Sequence, residues 1–240
     1  MGVYNPSPIT LVYKFGRNND IDKLDAPEDV WESTGTYTGQ PAHTATPETM
    51  KFASGSADDT ALGSGARTVE ASGLDGNWVP QTVTVSMDGA SDVITTETWT
   101  RLNRIKVLTA GSGGANAGLI TATSTVSDDL YATVAVGKNQ SQVCAWTVPG
   151  DCPTAELTHL SVAMARASGA AGSAQVTLRK RSVGGVYQVK LNYEITDSQP
   201  TPPIGEVIEL VAKDDLVVRV ESVSDGNTIV TASFVVVSPV

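Results

Sequence analysis

The chain offers only two histidines, His43 and His159, so a Ser-His-Asp triad or a histidine-based metal centre would have to be built around one of them. His43 falls in a Pro- and Thr-rich loop. His159 falls in Leu157-Thr158-His159-Leu160-Ser161-Val162, a strand pattern with Thr158, Leu160 and Val162 on one face and the histidine on the other. Both read as surface or interface histidines. The two cysteines stand in Cys144-Ala-Trp-Thr-Val-Pro-Gly-Asp-Cys152, a spacing that fits neither a paired zinc knuckle nor a C-x-x-C redox motif. They are either two free thiols or a local disulfide across the Pro-Gly turn, formed only in an oxidising medium. Asp20-Ile-Asp22-Lys-Leu-Asp25 has acidic residues at the start of a calcium-loop spacing, but it lacks the third alternation and the central glycine. It reads as a solvated acidic loop, with Asp58-Asp59 and Asp128-Asp129 as surface pairs. Gly111-Ser-Gly-Gly-Ala-Asn-Ala-Gly118 runs into Leu119-Ile120-Thr121, a strand pattern without the Lys-Ser/Thr that a phosphate loop needs. It reads as a flexible hairpin end. No carboxylate pair stands out for glycoside hydrolysis. The expectation is therefore no catalytic residue, no metal ligand and no cofactor site, and a protein that is not an enzyme.

The elements that would position these residues are strands. From about Ser54 to Val240, apolar and polar residues alternate in short runs that Gly, Asn, Asp or Pro interrupt. Strands are expected over 66–71, 79–87, 93–100, 104–110, 118–125 and 130–136. A second series follows over 140–148, 158–167, 174–181, 186–195, 206–212, 216–222 and 228–237. Spacings of this kind favour hairpin and Greek-key links over crossover helices. The expected fold is all-β: two antiparallel β-sandwich or jelly-roll-like modules, 54–137 and 138–240, preceded by an extended N-terminal arm, 1–53.

The arm reading rests on Pro6, Pro8, Pro27, Pro41 and Pro47 and on a cluster of acidic residues. Only Ile9–Tyr13 looks strand-like, and Asp25 could cap a single helical turn through Trp31. A stretch this irregular buries little of itself, yet it carries Tyr4, Tyr13, Phe15, Trp31 and Tyr37. Those five aromatics are the expected partner-binding residues, laid on a neighbouring subunit.

Composition narrows the function classes. The chain has 240 residues, 40% hydrophobic and 5% aromatic, with a net charge of −10 and a pI near 4.6. Such acidity, with lysines and arginines dispersed apart from Arg179-Lys180-Arg181, argues against a nucleic-acid grip. That basic triplet reads as a solvated hairpin end. No apolar run is long enough to span a bilayer, and no secretory signal is visible at Met1–Pro6.

Several segments together resemble the virion structural proteins of tailed bacteriophages. They are Ser56–Val69, Gly73-Leu-Asp-Gly-Asn-Trp78, Gln81–Val85, Arg101–Ile105 and Thr109–Gly118. In the second half, Trp146-Thr-Val-Pro149, Thr177-Leu-Arg179 and Gly184-Gly-Val-Tyr187 are similar to the jelly-roll-like modules of that class. The resemblance implies a capsid decoration or cement protein that binds and stabilises the head shell, located in the virion after assembly in the host cytoplasm. It implies the major capsid protein or a neighbouring virion protein as partner, and a homotrimer that hides strand edges. A tail, collar or fibre-base protein is the alternative within the virion. A host-glycan-binding β-sandwich is the alternative outside that role, and it would display Trp146 and Tyr187 on its surface.

Overall fold

Period-2 alternation runs through many of the strands, one face buried and the other more exposed. The computed structural model describes residues 9–166, 172–196, 204 and 207–239, and among them every regular element is a strand. Two β-sandwiches result, each with its own apolar core.

The larger sandwich is assembled from both ends of the chain. Its strands are β1 (Ile9–Ile21) and, after the inserted residues of the smaller sandwich, the segments numbered β10 to β16 in chain order. These are β10 (Ala145–Thr147), β11 (Thr154–Arg166), β12 (Ser173–Arg181), β13 (Gln188–Thr196), β14 (Ile208–Val211), β15 (Asp215–Val223) and β16 (Thr228–Pro239). One sheet has the order β1-β16-β11-β14 and the other β10-β15-β12-β13. That is the strand order of an eight-stranded jelly roll. A short strand, β2 (Glu28–Asp29), adds to β15 at Arg219 and Val220. Leu157, Leu160, Val176, Leu178, Val218, Val220 and Phe234 fill the space between the sheets.

The smaller sandwich is inserted between β2 and β10, in the connection that follows the first jelly-roll strand. It comprises β3 (Glu48–Ser54), β4 (Ala66–Leu74), β5 (Pro80–Ser86), β6 (Val93–Trp99), β7 (Arg101–Ala110), β8 (Ile120–Ser124) and β9 (Leu130–Val134). Its sheets have the orders β6-β3-β8-β9 and β5-β4-β7, closed on Met50, Phe52, Trp99, Leu102, Ile105 and Ile120.

The all-β expectation holds, and the expected strands of the second series appear with boundaries shifted by a few residues. The extended arm is corrected. Residues 9–21 pair with β16 along nearly their whole length, from Ile9↔Pro239 to Arg17↔Thr231 and Asn18↔Val230. Residues 28–29 join the second sheet, and 48–54 begin the inserted sandwich. The helical turn at Asp25 is absent; Asp25 and Ala26 N–H groups instead donate to the Asp22 carbonyl in a tight turn.

The reason the arm reading fails lies in the faces of β1. Its inward positions are Val12, Lys14, Gly16 and Asn18, while Ile9, Leu11 and Tyr13 point outward. Gly16 permits this arrangement: a Cβ there would overlap the Cys144 nitrogen and the Val30 carbonyl, so only glycine lets those backbones close over β1. Asn18 is buried and donates through Nδ2 to Glu28 Oε2 at 2.7 Å, satisfying two polar groups at once.

Candidate interaction surface

The side chains best suited to chemistry converge where the two sandwiches meet, on Asp215 at the start of β15. Arg101 of β7 grips it in two places, Nε to Oδ1 at 2.9 Å and Nη2 to Oδ2 at 3.1 Å. Arg181 of β12 reaches Oδ2 through Nε at 2.9 Å and Nη2 at 2.6 Å, and Thr147 Oγ1 donates to Oδ1 at 2.5 Å. The remaining Arg101 donors go to the Thr100 and Pro41 carbonyls, and the Arg181 Nη2 also donates to the Gln40 and Pro41 carbonyls. Burial alone would raise the Asp215 pKa. The Arg101 hydrogen bonds and charge, helped by Arg181 and Thr147, outweigh it and hold the carboxyl below its usual range.

His43 lies beside this cluster, its Nε2 3.4 Å from Asp215 Oδ2 and 2.8 Å from the Lys213 carbonyl. A carbonyl oxygen can only accept, so Nε2 is the donor in that contact. The ring stacks on Trp78, with centroids 5.4 Å apart, and the Arg101 guanidinium lies 4.7 Å from the same indole. Trp78 adopts φ +67°, a left-handed backbone uncommon for a residue other than glycine, and the Lys213 Nζ lies 5.4 Å from the same ring. The Asp–His proximity therefore lacks the open geometry of a triad, because the carboxylate is saturated by two guanidiniums. This cluster clamps the sandwiches together.

Several sequence expectations change here. Arg179-Lys180-Arg181 is no solvated hairpin end: Lys180 pairs with Asp214 at 2.6 Å, Arg181 with Asp215, and Arg179 stacks 5.4 Å from the Tyr187 ring. Asp59 is no surface residue but fully buried. It accepts from Ser54 Oγ and from the Ala66, Ala117 and Gly118 N–H groups. It thereby ties down the Ala117–Gly118 end of the Gly111–Gly118 loop, whose other end is held by the Gly111 and Gly113 N–H groups donating to the Gly65 and Ser64 carbonyls. Thr158 is the extra residue of a β-bulge against β16, which leaves His159 on the outer face as expected. Cys144 and Cys152 are both free thiols; Cys144 is buried, and burial pushes its pKa up to about 12. Asp20 is the penultimate residue of β1, and Asp22 and Asp25 lie in the turn after it, where Asp22 Oδ1 accepts from the Asn227 N–H at 2.7 Å. Among the described residues, no three His, Cys, Asp or Glu side chains are grouped to hold a metal.

The five aromatic residues expected to bind a partner separate into four situations. Tyr4 lies outside the described residues. Trp31 and Tyr37 are buried core residues, packed edge to face with centroids 5.2 Å apart. Trp31 Nε1 donates to the Gly35 carbonyl at 3.2 Å, and Tyr37 Oη donates to the Leu102 carbonyl of the inserted sandwich at 3.1 Å. Both are therefore withdrawn as partner contacts: large apolar side chains gain roughly 1.5–3 kcal/mol on burial, and these have already gained it within the chain. Phe15 is half-buried, with the Arg104 guanidinium 5.8 Å from its ring. Tyr13 stays open to solvent.

What remains is an apolar ridge on the outer face of β1, formed by Ile9, Leu11 and Tyr13 at 61, 64 and 56% exposure. Their cross-strand neighbours Val235 and Val237 on β16 are half-buried and extend the ridge across the sheet. Single exposed apolar residues are ordinary, but a contiguous row on an edge strand marks a contact surface. Of the five aromatics only Tyr13 lies on this ridge; Leu11 and Val235 were not singled out in the sequence, because their outward facing is set by β1–β16 pairing across more than two hundred residues.

No protein-family model matches the chain, and no curated protein is similar to it. A solved structure of infectious bursal disease virus Gt strain aligns over 100% of this chain and 79% of that one, at 9% identity and a TM-score of 0.14. A superposition this poor carries no argument about fold or function.

Proposed function

We propose that this chain is a non-enzymatic structural protein of a tailed-bacteriophage virion, a decoration or cement protein that docks on the head shell and reinforces it. The observation that carries the reading is the apolar ridge Ile9, Leu11, Tyr13, Val235 and Val237 on the first sheet of a jelly roll. A fold alone does not fix a function, although jelly rolls are frequent in capsid and lectin domains. The charged residues that could have supported catalysis instead close on one another between the sandwiches, as befits a body built for rigidity. The partner is the major capsid protein or a neighbouring virion protein, and a homotrimer would cover the edge strands.

The lectin alternative loses its expected platform. Trp146 is buried, and Tyr187 is held by a 2.7 Å hydrogen bond to Gln40 Oε1 with the Arg181 guanidinium 4.7 Å from its ring. Neither ring is free to stack on a sugar.

The test is occupancy on undecorated heads. Wild-type protein is expected to bind them saturably. The Leu11→Glu/Tyr13→Glu variant, whose altered side chains are exposed, is expected to keep its melting temperature and lose occupancy at least tenfold. No binding by the wild type overturns the function; equal binding by the variant overturns the surface.

A further inference from the structure

Beside the ridge, the free edge of β1 borders a cleft of about 700 Å³ between the two sandwiches. One wall is β1 itself, from Thr10 to Lys14; the other is the outer face of the β5-β4-β7 sheet, with Glu70, Ser72, Gln81, Arg104 and Lys106. β1 pairs with β16 on one side only. On the other side, the Tyr13 carbonyl accepts from Arg104 Nη2 at 2.8 Å and the Arg17 N–H donates to the Gln142 carbonyl at 3.4 Å. Among the described residues, nothing pairs with the backbone of Ile9–Val12 on that side. A strand edge left open beside a cleft is a template for strand addition.

The electrostatics of the cleft select what could be added. Lys14, 4% exposed, donates through Nζ to the Asn103 carbonyl. Arg104 returns the bond to the Tyr13 carbonyl, so β1 and β7 clasp each other through two cations. Neither cation has a carboxylate partner among the described residues. Glu70, the acid on the facing sheet, is already paired with Lys106 at 2.7 Å, and Asp151, which also lines the cleft, is exposed and forms no ion pair with either cation. Two cations gathered at the floor of a cleft in an acidic chain lack their counter-ion. Burial first, and Arg104 second, lower the Lys14 pKa to about 7, the behaviour of an ammonium without an anion.

We propose that this cleft receives an extended acidic segment of a partner protein, which adds to β1 as a further strand and places a carboxylate on Lys14 and Arg104. Strand geometry fixes the sequence type. Side chains alternate across a sheet, so one set lies beside Leu11 and Tyr13 on the apolar ridge and the other faces the cleft. The occupant is therefore an alternating apolar–acidic strand. The inference rests on the docking reading above and names the chemistry of the partner.

The test uses the full chain and three acetylated, amidated heptapeptides: Thr-Val-Glu-Val-Glu-Val-Thr, its counterpart with lysine for glutamate, and a version of the acidic peptide with proline at its centre. Binding is measured by titration calorimetry. Only the unbroken acidic peptide is expected to bind. Arg104→Gln and Lys14→Gln are each expected to weaken it about tenfold, and Arg104→Lys should recover part of the loss, with melting curves confirming that every variant folds. Equal binding of the acidic and basic peptides, binding of the proline peptide, or indifference to both substitutions overturns the inference, as does failure of the acidic peptide to bind. Because ridge variants are scored on particles and cleft variants on peptides, loss of one result leaves the other standing.

Discussion

Replacing Lys14 by methionine should make the protein more stable, and the gain should depend on pH in a defined way. Lys14 points into the body from β1, and the titratable groups facing it are the Arg104 guanidinium from β7 and the Cys144 thiol ahead of β10. Neither supplies a negative charge near neutrality, since burial pushes the Cys144 thiol up to about 12. The folded amine therefore loses its proton near pH 7, against 10.5 for the ordinary value. Between those limits the unfolded chain binds one more proton than the folded one, so stability rises with pH. It is lowest below pH 7, where folding must bury an ammonium. The fall from 10.5 to about 7, at 1.36 kcal/mol per pH unit, sets a ceiling near 5 kcal/mol, and solvent screening beside the open cleft lowers the expected gain to about 2–4 kcal/mol. Lys14→Met keeps the unbranched stem and removes the charge, so urea unfolding at about pH 6 should show a gain of that size. The difference between the two proteins should shrink steadily towards about pH 10, while all other titrating groups cancel. A destabilised variant, or a difference that does not change with pH, would show that Lys14 is a partnered ammonium and would refute the reasoning.

Three further outcomes follow from the packing. Deleting Ile9–Ile21 should abolish the cooperative unfolding of the jelly roll, followed by circular dichroism in urea, because it removes a strand paired along its length with β16; a truncated protein that unfolds like the wild type would return β1 to the status of an arm. Gly16→Ala should cost at least about 1–3 kcal/mol, measured by chemical denaturation, because its Cβ meets the Cys144 nitrogen and the Val30 carbonyl, neither of which can swing aside. Arg101→Met should cost about 3–5 kcal/mol by the same measurement, since Asp215 is fully buried and would keep only Arg181 as a close guanidinium.

Legibility in the sequence tracked the range of the pairing. Hairpin neighbours such as β4–β5 and β12–β13 carry alternation and turn residues within a few positions of each other, and their strands were readable. β1 was readable only over Ile9–Tyr13, for two reasons. Its partner β16 lies at the opposite end of the chain, and Ile9, Leu11 and Tyr13 sit on the outer face while Lys14, Gly16 and Asn18 sit inside. An inverted strand beside five prolines looks like an arm, so the insertion of one sandwich into the other left no local trace. The clamp at Asp215 had a trace that was misread. The basic triplet 179–181 and the acidic pair Asp214-Asp215 each interrupt an apolar strand pattern, a sign that the two charges meet inside the body instead of in water. Trp31 and Tyr37 show the same lesson, as aromatics in an irregular segment that packs on its own chain.

The most direct test of the assembly role is cryo-electron microscopy of purified virions that carry this chain. The account predicts density for the jelly roll and its inserted sandwich on the outside of the head shell, with Leu11 and Tyr13 of β1 turned towards a neighbouring subunit. Virions without that density on the head, or with β1 facing solvent on every copy, would contradict it.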